Sequence, residues 1–272
     1  MRIAFIGGGY MAASLIGALR SRGQDGGSIT VADPVPARTA ELAREFAVFT
    51  TADNAAAVRD ADTIVLAVKP QDMRGVAAGI SPVLAERRRL VVSIAAGIRL
   101  SDLARWLGPT SPLVRAMPNR PALIGRGITA LYASPEVRSG ERTRAERIFA
   151  SCGETLWIES ESQMDAVTAV SGSGPAYFFL LMEALEDAGR AQGLPPGIAR
   201  RLAVVTAAGA GQMAVGGSDD PASLREQVTS KGGTTAAALA VLDAADLRGI
   251  FTAAVAAAAR RSAELAAQAG EQ

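Results

Sequence analysis

The beginning of this chain limits its fold more than any other stretch. Arg2 to Ile6 is a short apolar run of strand length, Gly7-Gly8-Gly9-Tyr10-Met11-Ala12 follows, and Ala13 to Leu19 reads as a helix. The spacing is G-x-G-x-x-G/A, with Gly7, Gly9 and Ala12 in the key places. The first glycine permits a tight turn, the second lets the backbone approach a pyrophosphate, and the small third residue lets helix and strand pack closely. A strand before the motif and a helix after it favour a dinucleotide site over a merely glycine-rich turn.

The next stretches repeat the alternation. Ser28 to Ala32 reads as a second strand, Ala37 to Phe46 as a helix, and Val48 to Thr51 as a weak strand before a short helix through Val58. Thr63 to Val68 is nearly continuous in apolar residues, as a parallel strand buried on both faces requires. The spacing predicts further helices over Val76–Leu84, Leu100–Leu107 and Arg142–Ala150. Strands are predicted at Leu90–Ile94, Leu113–Asn119, Ile128–Tyr132 and Thr155–Ile158. Such alternation indicates an α/β fold with a Rossmann-type, mostly parallel sheet.

Several residues fall where such sheets bind ligands. Asp33 lies where an acid meets the ribose hydroxyls of NAD, while nearby Arg38 suits a 2′-phosphate; the competing reading of Asp33 is a helix cap near Pro34. Lys69 and Pro70 end a central strand on the ligand side, although a lysine there can also be a solvated loop charge. Ala95-Ala96-Gly97 is a small-residue turn that admits a cofactor close to the backbone.

After Glu159 the texture changes to helices rich in alanine. Gln163–Val170 is helical, Ser171-Gly172-Ser173-Gly174-Pro175 is expected to break it, and Ala176–Gln192 resumes. Further helices are expected over Ile198–Val215, from Pro221 through Gln227, from about Thr235, and over Leu247–Ala267. The organisation read here is a dinucleotide-binding domain at 1–160 and an all-α substrate-binding and dimerisation domain at 161–272. Alanine-rich helices bury little area alone, so a helical dimer is expected.

Within that helical region Val228 to Thr235 crowds hydroxyls and glycines before a strong helix former. Such a loop presents backbone N–H groups at a helix start, where an anion is favoured. A simple helix cap is the competing reading.

Composition removes several chemistries. The 272-residue chain has no histidine, so Ser-His triads, histidine metal sites and histidine acid–base steps are excluded, and no metal is expected. With 28 basic against 27 acidic residues there is no charge excess for nucleic acid, and 4% aromatics offers little for stacking bases. Cys152 is the single cysteine, which with no visible targeting or membrane-spanning run gives a cytoplasmic expectation.

Together Phe5–Ala12, Ala67–Gln71, Ala95–Gly97, Met117-Pro118-Asn119, Asp165–Tyr177 and Val228–Thr235 resemble the pyrroline-5-carboxylate reductase family, in the family's order and across nearly the whole chain. The Ser171–Tyr177 and Ser230–Thr235 stretches are the most specific. The resemblance implies reduction of 1-pyrroline-5-carboxylate to L-proline by hydride from NADPH, with NADH also possible. It implies a Rossmann domain, a helical dimerisation domain, and a homodimer or a higher homo-oligomer built from dimers.

The resemblance also assigns residues. Ile6, Gly7, Gly8, Gly9, Tyr10 and Met11 cradle the pyrophosphate, and Asn54 contacts the cofactor. Ala67, Val68, Lys69, Pro70, Ala95, Ala96 and Gly97 line the nicotinamide side. Glu161 matches an acidic position near the substrate. Ser230, Gly233, Thr234 and Thr235 match the carboxylate loop, with Thr235 reaching the imine nitrogen. Three positions depart from the family pattern: Tyr10 for Asn or Gln, Asp33 for a neutral or hydroxyl residue, and Lys231 for a small residue or Pro.

Chemistry without the resemblance agrees. A cyclic imine bearing a carboxylate needs an anion clamp, a hydride donor at its C=N carbon, and a proton partner at nitrogen. With no histidine, proton transfer must use a hydroxyl, Lys, a carboxylate or water; a hydroxyl, that of Thr235, is the group expected, and an imine is basic enough not to require a strong acid. Two alternatives stay open at this point. One is a non-catalytic sensor of a dinucleotide or proline metabolite. The other is a related imine or 3-hydroxy-acid reductase, which would want a catalytic lysine where the helical region offers only Lys231.

Overall fold

The structure is a computed structural model and describes residues 1–108 and 111–271. The chain forms two compact units, Met1–Gly172 with Ala258–Gln272, and Ser173–Ala257. The boundary read from sequence, after residue 160, falls inside the first unit. The residues between 161 and 172 pack with the sheet-bearing unit, and the C-terminal part of the last helix belongs there as well.

The first unit holds an eight-strand sheet among the described residues: β1 Ile3–Ile6, β2 Ile29–Ala32, β3 Phe49–Thr51, β4 Thr63–Leu66, β5 Leu90–Ser93, β6 Leu113–Met117, β7 Gly127–Ala133 and β8 Gly153–Trp157. Its order is β3-β2-β1-β4-β5-β6-β7-β8. Every pairing is parallel except β6 with β7. The link between those two strands holds only a 3-10 turn, Arg120–Ile124, too short for the helical crossover a parallel pair requires.

The strand pattern builds two cores. In β1, Ile3 and Phe5 face one layer, with Leu15, Ile16 and Leu19 of α1 (Tyr10–Ser21), Leu42 of α2 (Pro36–Phe46), and Ile148 and Phe149 of α6 (Ser139–Ala150). Ala4 and Ile6 face the other, with Ala57 and Val58 of α3 (Asn54–Arg59), Met73, Ile80 and Leu84 of α4 (Pro70–Glu86), and Leu103 and Leu107 of α5 (Leu100–Leu107). All four β1 residues are at most 1% exposed, as a central parallel strand requires. Cys152 is buried within the first of these cores, where burial raises its thiol's pKa above the ordinary value.

Two segments differ from expectation. Helix α4 starts at Pro70, six residues before Val76, because proline at the first helical position loses only an N–H that would be unpaired there anyway. The expected break at Ser171–Pro175 is almost wholly helical. The short α7 (Met164–Val167) runs into a π-helical turn, Thr168–Gly172, and α8 (Gly174–Ala191) begins after Ser173 alone. Pro175 sits in the first turn of α8, where it fits.

The second unit contains α8, α9 (Pro196–Gly216), α10 (Pro221–Gln227), α11 (Thr234–Ala244) and the first part of α12 (Leu247–Glu271). Gly189 lets α8 approach α9 closely, since a β-carbon there would stand 3.3 Å from that of Ala199. Arg200 and Glu186 pair at 3.1 Å beside this contact. Tyr177 and Phe251 meet edge to face at 6.4 Å. No described helix is long and apolar enough to cross a membrane.

Candidate active site

The cofactor crevice follows from the strand order. The chain reverses its direction of growth between β1 and β4, and ligands of such sheets bind outside the carboxyl ends there. Gly7 leaves β1 with φ +96°, and a β-carbon on it would lie 2.7 Å from the Ala67 carbonyl oxygen at the end of β4. Only glycine satisfies both the backbone angle and the contact. The turn is fastened on each side: Gly7 N–H donates to the Ala32 carbonyl at 2.8 Å, and Ala67 N–H donates to the Ile6 carbonyl at 2.7 Å.

Gly9 is the N-cap of α1 and no side chain caps it. The first amide turned back into the helix is that of Ala13, which donates to Gly9 at 2.9 Å. The amides of Tyr10, Met11 and Ala12 therefore point outward at the positive end of a twelve-residue helix, a fit for a pyrophosphate. Tyr10 is 91% exposed, so its ring fills no part of the core. The Gly8 amide behaves differently and donates to Asp33 Oδ2 at 2.8 Å.

Asp33 follows β2 and is nearly closed to solvent. Its Oδ1 accepts the Val35 N–H at 2.9 Å, and its Oδ2 also accepts Arg38 Nη1 at 3.0 Å. Burial opposes its charge, but the Gly8 and Val35 amides and Arg38 outweigh it and hold the carboxyl below its ordinary value. The helix after it, α2, has Val35 as N-cap, so Asp33 braces the residue before the helix and does not cap it.

The remaining predicted cofactor residues of this unit line the ends of neighbouring strands. Asn54 opens α3, behind the N-cap Asp53 whose carboxylate takes the amides of Ala55 and Ala56. Ala67 and Val68 are half-buried after β4; Lys69 is the exposed N-cap of α4, and Pro70 its first residue. Ala95, Ala96 and Gly97 form the turn after β5, with Gly97 at φ +75° and packed on the backbone of Ala266.

Glu161 stands in a different setting from the carboxylate loop. Its Oε1 accepts the Leu100 N–H at the start of α5 at 2.8 Å and pairs with the buried Arg115 at 3.0 Å. Both contacts lie within the sheet-bearing unit, and they occupy that oxygen.

The loop Ser230–Thr235 belongs to the helical unit. Gly232 turns it with φ +73°, Gly233 N–H donates to the Ser230 carbonyl at 3.0 Å, and Gly233 is the N-cap of α11. A β-carbon on Gly233 would collide with Ser230 Oγ. The cap makes no side-chain hydrogen bond, so the capping reading of Thr235 does not hold: Thr235 is the second helical residue. Ala237 is the first amide paired back, to Gly233 at 3.2 Å, leaving the N–H groups of Thr234, Thr235 and Ala236 open. Among the described residues the hydroxyls of Ser230, Thr234 and Thr235 donate no hydrogen bond. Three open amides and three free hydroxyls at one helix start have the chemistry to receive a small anion.

One feature of this region has no counterpart in the spacing of the sequence. Asn119, buried after β6, donates from Nδ2 to the Ser171 carbonyl at 3.2 Å and accepts the Ile128 N–H on Oδ1 at 3.0 Å. It ties the π-helical turn to β7. Gly172 lies in that turn, and the flexible end of the Met117 side chain packs beside it, with Cε 2.7 Å from where a β-carbon would stand. Met117-Pro118-Asn119 is visible in the sequence, but nothing in its spacing names a partner 52 residues away.

A family model described as pyrroline-5-carboxylate reductase dimerisation matches residues 161–265, and one described as NADP oxidoreductase coenzyme F420-dependent matches residues 2–97. A pyrroline-5-carboxylate reductase from Pseudomonas aeruginosa is 49% identical over 99% of this chain and 98% of its own. The solved structure of such a reductase from Coxiella burnetii superposes with TM-score 0.94 at 39% identity, covering 97% of this chain and 98% of that one. A pyrroline carboxylate reductase from Plasmodium falciparum, solved with NADP bound, gives TM-score 0.85 at 29% identity and covers 98% of both chains.

Proposed function

The chain belongs to the pyrroline-5-carboxylate reductase family and is an NAD(P)H-dependent oxidoreductase of proline biosynthesis, and we propose how its residues divide that work. The observation that carries the proposal is the uncapped start of α11, with its open amides and free hydroxyls.

The substrate is a five-membered cyclic imine carrying a carboxylate. The N–H groups of Thr234, Thr235 and Ala236 hold that carboxylate, with Ser230 Oγ as a further donor and Gly233 keeping the loop bare enough for close approach. Thr235 Oγ1 faces the ring nitrogen. When bound, the nicotinamide supplies a hydride to the C=N carbon. As that carbon gains the hydride, the π pair moves to nitrogen, and the new N–H is supplied by solvent through Thr235 or is already present on a protonated imine. A weakly acidic hydroxyl suffices because the imine nitrogen is itself basic. Holding the carboxylate fixes the ring, so that hydride transfer gains from orientation.

In the other unit, the amides of Tyr10 to Ala12 take the pyrophosphate. Gly7, Gly9 and Met11 leave it room beside Ile6, and Asn54, Ala67 to Pro70 and Ala95 to Gly97 flank the rest of the dinucleotide. Lys69 positions the cofactor and transfers no proton. Glu161 acts on the substrate side through the α5 start and Arg115 that it holds. NADPH is the preferred donor, with NADH a slower one. The helical region from 161 joins two copies, and dimers assemble further, in the cytoplasm, without nucleic acid or membrane.

The test is oxidation of NADPH and of NADH by purified protein with 1-pyrroline-5-carboxylate. Steady turnover with faster use of NADPH is expected. Binding of the dinucleotide without turnover would instead make the chain a sensor.

A further inference from the structure

Ala95-Ala96-Gly97 lies beyond the carboxyl end of β5, next to β4, on the edge of the sheet where such folds bind ligands. Its side chains are two methyl groups and a hydrogen, so what it offers a ligand is backbone held in one place. What holds it comes from the far end of the chain.

Ser262, Ala266 and Gly270 are spaced four apart on α12 and share one row of that helix. Each makes a contact within the sheet-bearing unit. Ser262 is buried and donates from Oγ to Asp165 Oδ1 at 2.7 Å. One turn on, the helix meets Gly97 backbone to backbone: a β-carbon on that glycine would stand 3.5 Å from Ala266 N and 3.6 Å from the Leu265 carbonyl carbon. Ala266 is 2% exposed there, so a larger side chain has to displace its neighbours. One turn further, a β-carbon on Gly270 would stand 3.1 Å from both carboxylate oxygens of Asp102, and the Gly270 carbonyl accepts Arg105 Nη2 at 2.8 Å. Both of those partners belong to α5, the helix the turn runs into, whose start at Leu100 is held by Glu161. Ala266 and Gly270 lie past residue 265, outside the stretch that matches the dimerisation model.

We propose that residues 258–271 of α12 are a strap that sets the Ala95–Gly97 turn, with Ser262 and Ala266 as positioning residues for the nicotinamide end of the dinucleotide. The bond to Asp165 fixes the helix at one end of the strap, and the Gly270 carbonyl fixes it to α5 at the other. Ala266, between them, sets where the turn stands. The proposal rests on the reading of that turn as lining the nicotinamide side. A displaced turn misplaces the ring that gives up its hydride, and transfer is sensitive to such misplacement. The pyrophosphate, received at the Gly7–Gly9 turn, is left where it was.

Titration calorimetry on the full chain with NADP⁺ and with 2′-phospho-ADP-ribose, the same molecule without its nicotinamide, reads the two ends apart. Ala266→Leu is expected to weaken NADP⁺ about five- to tenfold and leave the fragment unchanged. Its kcat with 1-pyrroline-5-carboxylate falls about tenfold, and the KM for the imine stays within about twofold. Ser262→Ala is milder and carries the test if the leucine variant fails to fold; it moves NADP⁺ affinity and kcat the same way by about two- to threefold. Ala267→Leu, the exposed neighbour on α12, changes neither. Ala96→Leu, in the turn itself, checks the reading beneath the proposal, and it too is expected to weaken NADP⁺ and not the fragment. NADP⁺ binding untouched by Ala96→Leu would remove that reading and the proposal with it. An effect of Ala96→Leu with none from Ala266→Leu and Ser262→Ala, or a loss in those two that is equal for both ligands, would overturn the strap alone.

Discussion

Strand β1 and helix α8 treat their apolar residues in opposite ways. Ile3, Ala4, Phe5 and Ile6 are buried by their own unit. Phe178, Leu181 and Leu185 recur at helical spacing along α8 and are 63%, 47% and 47% exposed. Ile198, Leu202 and Val205 repeat the pattern on α9. A cavity of about 820 Å³ beside α10, α11 and α12 is lined by Leu239, Leu242, Leu247 and Phe251 together with charged groups. The α/β unit closes its own core, and the helical unit leaves whole stripes open. Exposed stripes of this extent mark an interaction surface, in keeping with the match of residues 161–265 to a dimerisation domain. The glycine turn at Gly7–Gly9 therefore rests on a finished core, whereas the Ser230–Thr235 loop belongs to a unit whose apolar stripes are exposed.

Substitutions that strike only one side of this contrast test it. Gly7→Val hits the closed unit hardest, joining a positive φ to a clash with a strand-end carbonyl. It is expected to cost about 3 kcal/mol or more in denaturant unfolding and to abolish dinucleotide binding; near-normal binding would contradict the built-in crevice. Leu181→Glu strikes the open unit. Placing an unpaired charge in the α8 stripe is expected to forfeit about 2 kcal/mol of burial and shift the protein to monomers in sedimentation velocity. An unchanged oligomer would show that this stripe is not the contact.

Glu141 probes the closed unit through pH. It accepts two bonds from Arg88, at 3.0 and 2.9 Å, and the Arg138 N–H at 2.8 Å. Burial works against its charge, and these partners with Arg144 outweigh it, leaving its carboxyl below the ordinary value. A depressed carboxyl stabilises the fold above its unfolded pKa, and that contribution is lost as pH falls through the folded one. Glu141→Gln should therefore cost about 1–3 kcal/mol near pH 7, and the gap to wild type should shrink below about pH 4. A gap independent of pH would sink this assignment. The smallest effect is expected at Gly232 in the open unit. Its φ is +73°, but nothing lies within 4 Å of an added β-carbon, so Gly232→Ala should cost only about 1 kcal/mol by thermal unfolding.

The sequence makes some of this plain and hides the rest, for physical reasons. The strand, glycine turn and helix at residues 3–21 are legible because each local signal agrees with the next. The parallel sheet is legible from continuous apolar runs such as Thr63–Leu66. The reversal at β7 is not, since periodicity carries no strand direction. The helical character of Ser171–Gly172 is masked because Gly and Pro read as breakers, while Asn119 hydrogen-bonds the Ser171 carbonyl and ties the π-helical turn to the sheet. Asp33 is legible as an acid in the right place. That its oxygens are spent on Gly8, Val35 and Arg38 is a fact of three-dimensional packing, visible only in the structure. Likewise the hydroxyls and glycines of Ser230–Thr235 signal a helix start, but only the placement of the cap at Gly233 frees Thr235 from a capping role.

The measurement closest to the centre of this account is the turnover number of Thr235→Ala with 1-pyrroline-5-carboxylate and saturating NADPH, alongside Thr235→Ser. Loss of a hydrogen bond to a nitrogen whose charge changes in the reaction should lower kcat by about 30- to 100-fold in the alanine variant. The serine variant should recover most of that, with dinucleotide affinity and unfolding midpoint unchanged in both. An alanine variant turning over within twofold of wild type would contradict a role for Thr235 at the imine nitrogen.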